Sequence, residues 1–260
     1  MKYAGFLLLT VALCSFILPL KKRSSKLPKA LRDCKAVVHI PKENSSQELY
    51  IFRNEVSNSD YQEFLYFLRS NKRLEELRIA KLDSLNWLLS DFKTPQNWAT
   101  DYQLRQELPV VNVTKEGAKA YCIWLSEIWN QKQSTYTVKF RLPTSAEWQY
   151  AARGGKTNAN YPWGGTEITN KKGCHLARVS GSSENDGPVA VGTYSPNGFG
   201  LYNTSGNVSE WVSNSDEAYG GNWGSSSENA TLSSSYNPGK SSYQVGFRPV
   251  MTFKLRSNPK

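Results

Sequence analysis

Between residues 57 and 155 the apolar positions recur with helical spacing, and the residues around them mark where each helix starts. Tyr61, Phe64, Leu65 and Leu68 fall at i, i+3, i+4 and i+7, one face of a helix that Ser57 or Ser59 can cap. A longer stripe of Ala118, Tyr121, Cys122, Leu125, Ile128 and Trp129 follows Thr114, whose hydroxyl makes a good N-cap. A third helix opens on Thr144-Ser145-Ala146-Glu147, a capping box, and Gly154-Gly155 stops it after two turns. Ala36–Pro41, Tyr50–Val56 and Tyr136–Leu142 are rich in β-branched and aromatic residues and read as strands.

Two regions lack a single period. Residues 71–105 carry Leu74, Leu77, Leu82, Leu85 and Leu88, which suggest more helix that Pro95 ends; this stretch reads as an insertion. Beyond Gly155 only short pieces are expected, with turns at Pro162-Trp163-Gly164-Gly165, Ser195-Pro196-Asn197-Gly198 and Asn237-Pro238-Gly239. Short strands are expected at Val189–Val191, Gly221–Trp223 and Val245–Met251. The fold class is α+β, a few helices on a small sheet, with irregular aromatic-rich loops completing the core. Eight Trp and fourteen Tyr in a chain that is only 39% apolar fit that reading.

Charge changes the picture at the N-terminus alone. Of the formal net charge of +10, most lies within residues 1–35, where eight basic residues face Asp33 alone. The rest of the chain has an ordinary solvated balance, so a nucleic-acid partner is not expected. Ahead of the basic cluster, Tyr3–Leu20 is apolar except for Thr10, Ser15 and Pro19. Residues 1–20 read as a signal peptide or membrane anchor, 21–36 as a basic linker, 37–254 as the domain and 255–260 as a tail. Cleavage, retention as an anchor and lipid attachment at Cys14 all stay open, and the chain is expected to be exported, periplasmic or membrane-anchored. Setting Cys14 aside leaves Cys34, Cys122 and Cys174, an odd number. Cys122 lies on a helix stripe and reads as a small buried apolar residue, which leaves Cys34 and Cys174 open to a disulfide in an oxidising compartment.

Seven blocks arrive in an order that resembles the formylglycine-generating enzyme (sulfatase-modifying factor) family. They are Glu55-Val56-Ser57-Asn58; Leu108–Val113 running into Ala120–Leu125; Arg141-Leu142-Pro143-Thr144 with Glu147-Trp148; Tyr161-Pro162-Trp163-Gly164; Gly198–Asn203; Asn203–Trp211; and Gly246-Phe247-Arg248. The resemblance runs from about Glu55 to Val250 and implies that family's fold, related in topology to C-type lectins. It also implies a structural calcium site at Asn203, Gly206, Val208 and Glu210, whose oxygens suit a hard cation. The competing reading is that Asn203 and Asn207 only shape turns. A second family calcium site matches less well, with His175 where an Asn is usual and Asp186 as the surviving candidate.

At the family's copper site this chain departs from the pattern. Catalytic members hold copper with a pair of thiols in the late segment, and from Gly221 to Phe247 this chain has no Cys, His or Met. Copper is therefore not expected, and neither is the histidine-rich iron site of related sulfoxide synthases, since His39 and His175 are the only histidines. The leading expectation is a non-catalytic cell-envelope module that binds a protein or glycan partner, with gliding-motility and type IX secretion scaffolds as an analogy of fold. The alternative is a copper-dependent oxidase that converts a sulfatase cysteine to formylglycine. Carbohydrate binding through Trp163, Trp211 or Trp223 is a third reading, although burial in the core suits each of them.

Overall fold

The computed structural model describes residues 36–41, 49–83, 106–132, 135–183 and 187–256. The N-terminal apolar segment, the basic linker, Cys34, Pro95, Asp186 and the last four residues of the tail lie outside them. Among the described residues no helix is long and apolar enough to cross a membrane.

Local sequence accounts for the helices. Helix α1, Asn58–Ser70, takes Ser57 as its N-cap, and the Ser57 and Asp60 side chains each accept the other's backbone N–H. Its buried residues are Tyr61, Phe64, Leu65 and Leu68, the predicted stripe. A short helix α2, Leu74–Ala80, is the described part of the expected insertion. Helix α3, Lys115–Lys132, begins where Thr114 Oγ1 accepts the Gly117 N–H at 3.0 Å. Helix α4, Ser145–Arg153, has the Thr144–Glu147 capping box and ends on Gly154 at φ 61. A Cβ at Gly154 would lie 2.6 Å from the Gly198 nitrogen, so backbone geometry and close packing both require glycine there.

Eight short strands form two sheets. The first has the order β1 (Val37–Ile40), β2 (Leu49–Phe52), β8 (Val250–Leu255), β3 (Tyr136–Arg141), all antiparallel. The C-terminal strand thus sits between elements from the first and middle parts of the chain. Alternate residues face opposite layers: Val37, Tyr50 and Met251 join the large core under α1 and α3, while Val38, Ile51 and Val250 pack with Ala151 and Leu201 on the other side. Both faces are covered, which is why β1 and β2 read as near-continuous apolar runs. In the large core Tyr61 and Tyr121 stack with ring centroids 5.8 Å apart, and Phe247 meets both edge-on.

The second sheet has the order β6 (Ser235–Tyr236), β5 (Ala218–Tyr219), β4 (Ser209–Trp211), β7 (Val245–Gly246). Three strand expectations are corrected here. Gly221–Trp223 is not a strand: Gly220 and Gly221 have φ of 92° and 68°, so the strand ends before them. Val189–Val191 is irregular because its amides bond elsewhere, Val189 to the Asn207 side chain and Val191 to the Glu107 carbonyl. Val245–Met251 splits into β7 and the start of β8, with Phe247-Arg248-Pro249 crossing from one sheet to the other. β2 likewise stops at Phe52, short of the expected Val56.

Candidate functional site

Arg248 occupies the crossing between the two sheets, and its side chain is fully buried. All five guanidinium N–H donors have acceptors. Nε and Nη2 fork onto Glu210 of β4 at 2.7 and 2.6 Å, Nη1 donates to the carbonyls of Phe52 and Arg53, and Nη2 also reaches the Tyr202 carbonyl at 2.8 Å. Trp148 of α4 donates Nε1–H to Glu210 Oε2 at 2.7 Å. One side chain therefore ties the end of β2, the loop before β4, β4 itself and the β7–β8 crossing into a single joint.

A second buried carboxylate lies on the far side of Arg248. Glu55 Oε2 is 4.0 Å from Arg248 Nη2, and Glu55 accepts from Asn207 Nδ2 at 2.8 Å and Asn203 Nδ2 at 3.2 Å. Two acids thus share one guanidinium. Burial pushes the Glu55 carboxyl up to about 7, Arg248 opposes the rise, Glu210 adds to it, and the Asn207 hydrogen bond opposes it. The asparagines reach Glu55 from left-handed backbone, Asn203 at φ 52 and Asn207 at φ 60, a conformation Asn tolerates better than most side chains. Between them Gly206 is pressed against the chain, and a Cβ there would sit 2.3 Å from the Arg178 carbonyl oxygen.

The four residues to which calcium was assigned lie within this centre, with their roles divided. Glu210 is committed to Arg248 and Trp148, so a cation at that carboxylate would share it with a guanidinium whose charge already balances it. Gly206 and Val208 are buried in the intervening turn. Asn203 keeps one free feature, an Oδ1 that is buried with no hydrogen-bond partner, which is the kind of oxygen a hard cation takes. A cation there would be held by Asn203 Oδ1 and the backbone carbonyls of Gly206 and Val208, and would share the Glu210 carboxylate with Arg248. Of the second site, Asp186 lies outside the described residues, and His175 pairs with Thr169 in an isolated bridge.

Glu55, Trp148 and Arg248 were read only as parts of blocks, and their role in this centre was missed. A signal was present: Arg248 is the one charge within Val245–Met251, and a charge inside an apolar run has to meet a partner indoors. The identity of that partner was not readable locally, because Glu55 and Glu210 are distant in sequence.

The late segment where the family carries thiols is closed by hydroxyls and amides. Ser225 Oγ accepts from the Asn222 N–H at 3.0 Å, and the Ser225 N–H returns to the Asn222 carbonyl at 2.9 Å. Ser234 Oγ accepts from the Thr231 N–H at 3.2 Å, and Ser205 Oγ donates to the Ala230 carbonyl. Of the described thiols, Cys122 is buried on α3 and Cys174 is exposed on the 169–175 turn; both are free. Burial pushes the Cys122 thiol far up. In the folded protein a thiol reagent is expected to label Cys174 and to reach Cys122 only on unfolding. Peptide mass spectrometry of timed reactions checks this, and rapid native labelling of Cys122 would contradict its placement. Among the described residues no three of His, Cys, Asp and Glu gather as a metal site. Trp211 and Trp223 are buried, while Trp163 stacks on Tyr161 at 5.0 Å and stays partly exposed.

A two-sheet α+β domain, closed by its last strand and locked where a buried arginine meets two acids, is the class that fold and site define. The chain belongs to the sulfatase-modifying factor enzyme 1-like domain family, whose pattern matches residues 32–253. Over 129 residues it is 36% identical to the formylglycine-generating enzyme of Thermomonospora curvata, a stretch that is 46% of this chain and 38% of that one. Over 189 residues it is 29% identical to the inactive C-alpha-formylglycine-generating enzyme 2 of Bos taurus, 63% of this chain and 58% of that one. The chain thus spans between 38% and 58% of the length of these curated relatives. A solved structure of CarF superposes with a TM-score of 0.58 at 20% identity, over 83% of this chain and 92% of that one, a likeness of fold.

Proposed function

We propose that this member of the family is a non-catalytic binding module of the cell envelope, with a protein or glycan as its partner. The late segment supports the reading. Its serines and asparagines spend their polar atoms closing turns, and hydroxyls do not hold Cu(I). The described thiols cannot substitute, because Cys122 is sealed in the core around α3 while Cys174 is at the surface. Cell-envelope placement rests on the apolar and basic pattern of residues 1–35, and fractionation of cells expressing the full chain tests it.

Copper titration of the purified protein separates this reading from the copper-dependent oxidase. No stoichiometric thiolate-bound Cu(I) is expected in competition with a chelator of ordinary affinity. Tight one-to-one binding, lost when Cys174 is changed to serine, would overturn the proposal and favour the oxidase. Calcium is expected to shift the unfolding midpoint very little, because Glu210 is already neutralised by Arg248.

A further inference from the structure

The pattern Asn-x-Ser/Thr occurs at Asn44, Asn112, Asn203, Asn207 and Asn229. It is the acceptor pattern for asparagine-linked glycans, which belong on the surface loops of exported proteins. Asn44 lies outside the described residues. Of the other four only Asn229, on the turn Ser227–Ala230, is exposed. Asn112 and Asn207 are completely buried, and Asn203 nearly so. Their surroundings leave no room for a sugar. Asn207 and Asn203 donate Nδ2–H to Glu55 at 2.8 and 3.2 Å. The turn between them is so tight that a Cβ at Gly206 would lie 2.3 Å from the Arg178 carbonyl oxygen. Asn112 is pinned through its backbone, whose N–H donates to the Ser242 carbonyl at 2.9 Å and whose carbonyl accepts the Asp83 N–H at 3.0 Å.

We propose that Asn112, Asn203 and Asn207 are glycan acceptors in the unfolded chain only, and that a sugar on any of them keeps the domain from closing. In the transfer, Nδ2 bonds to the anomeric carbon of a lipid-diphosphate-linked oligosaccharide. The bond from that carbon to the diphosphate breaks, the lipid diphosphate leaves and Nδ2 gives up one proton. At Asn203 and Asn207 the sugar then hangs on the atom that has to reach Glu55 in a dry interior, where its hydroxyls would lose water without gaining partners. The modification therefore strikes the joint between the two sheets, whereas a sugar on exposed Asn229 points into solvent. An exported chain of this sequence folds in an envelope without the transferase, or ahead of it. That last step rests on the cell-envelope reading; the block to folding does not.

The test directs the full chain into a secretory lumen that carries the transferase, with and without an inhibitor of lipid-linked donor synthesis. Limited proteolysis reports folding, and glycopeptide mass spectrometry reports which asparagines carry sugar. Without the inhibitor, sugar is expected on at least one of Asn112, Asn203 and Asn207, and the protease-resistant domain is lost. With the inhibitor the resistant domain should return. A resistant domain that carries sugar at any of the three asparagines overturns the proposal. So does a resistant domain made without the inhibitor in which all three are unmodified, because folding then outruns the transfer. A loss of the domain that the inhibitor does not relieve overturns it too, since the sugar is then not what blocks closure. None of these outcomes touches envelope placement or the non-catalytic reading, which cell fractionation and copper titration test by themselves.

Discussion

Arg248→Met is expected to lower the unfolding free energy by about 3–5 kcal/mol, the cost of leaving a buried charge without its counter-charge. The guanidinium is fully buried and supplies five hydrogen bonds, and its removal strands Glu210 and Glu55 in a dry interior. Arg248→Lys should recover only part of the loss, since an ammonium cannot fork onto the carboxylate and reach three carbonyls at once. The double variant Arg248→Met with Glu210→Leu should be less damaged than the sum of the two single changes, because the stranded charge goes with its partner. Urea unfolding of the four proteins at one pH measures the effect. A loss under about 1 kcal/mol for Arg248→Met would show that the joint does not hold the two sheets together.

The second large effect is a pH dependence carried by Glu55. Its carboxyl is pushed from 4.5 to about 7 in the folded protein, mainly by burial. The folded state therefore binds a proton that the unfolded state has already released between those two values. Stability from this group is fully present below about 4.5 and is lost as the pH rises through about 7, an effect of about 3 kcal/mol for a shift of that size. Glu55→Gln carries no titrating proton, so its stability relative to the parent should climb across the same interval and level off above it. The Asn203 amide can turn its unpaired Oδ1 toward the new NH2 group, which spares the variant a clash of donors. Equilibrium unfolding of both proteins from pH 4 to about 8.5 provides the difference curve. A flat difference, or one of opposite slope, would place the Glu55 carboxylate in its charged form throughout.

Elements whose cause lies within a few residues were legible from sequence. Helices α1, α3 and α4 begin at Ser57, Thr114 and Thr144, each a hydroxyl beside an exposed backbone donor, and their apolar stripes are the buried ones. The expected strands at Gly221–Trp223 and Val189–Val191 failed for the opposite reason. Positive φ at two adjacent glycines, and amides that find a side chain or a remote carbonyl, override a short apolar pattern. At the centre itself, spacing aligns Asn203 and Glu210 with a motif, while the pairing of Glu210 with Arg248 is visible only in three dimensions.

The amino-acid sequence by itself determined where helices α1, α3 and α4 start, the family blocks and the loss of sulfur from the late segment, because these depend on residue identity and near neighbours. Only the tertiary structure decided that Glu55 and Glu210 share one buried guanidinium and that Trp148 reaches the same Glu210 carboxylate. Those meetings depend on where β8 inserts between β2 and β3, and long-range strand pairing leaves no periodic mark on a single chain.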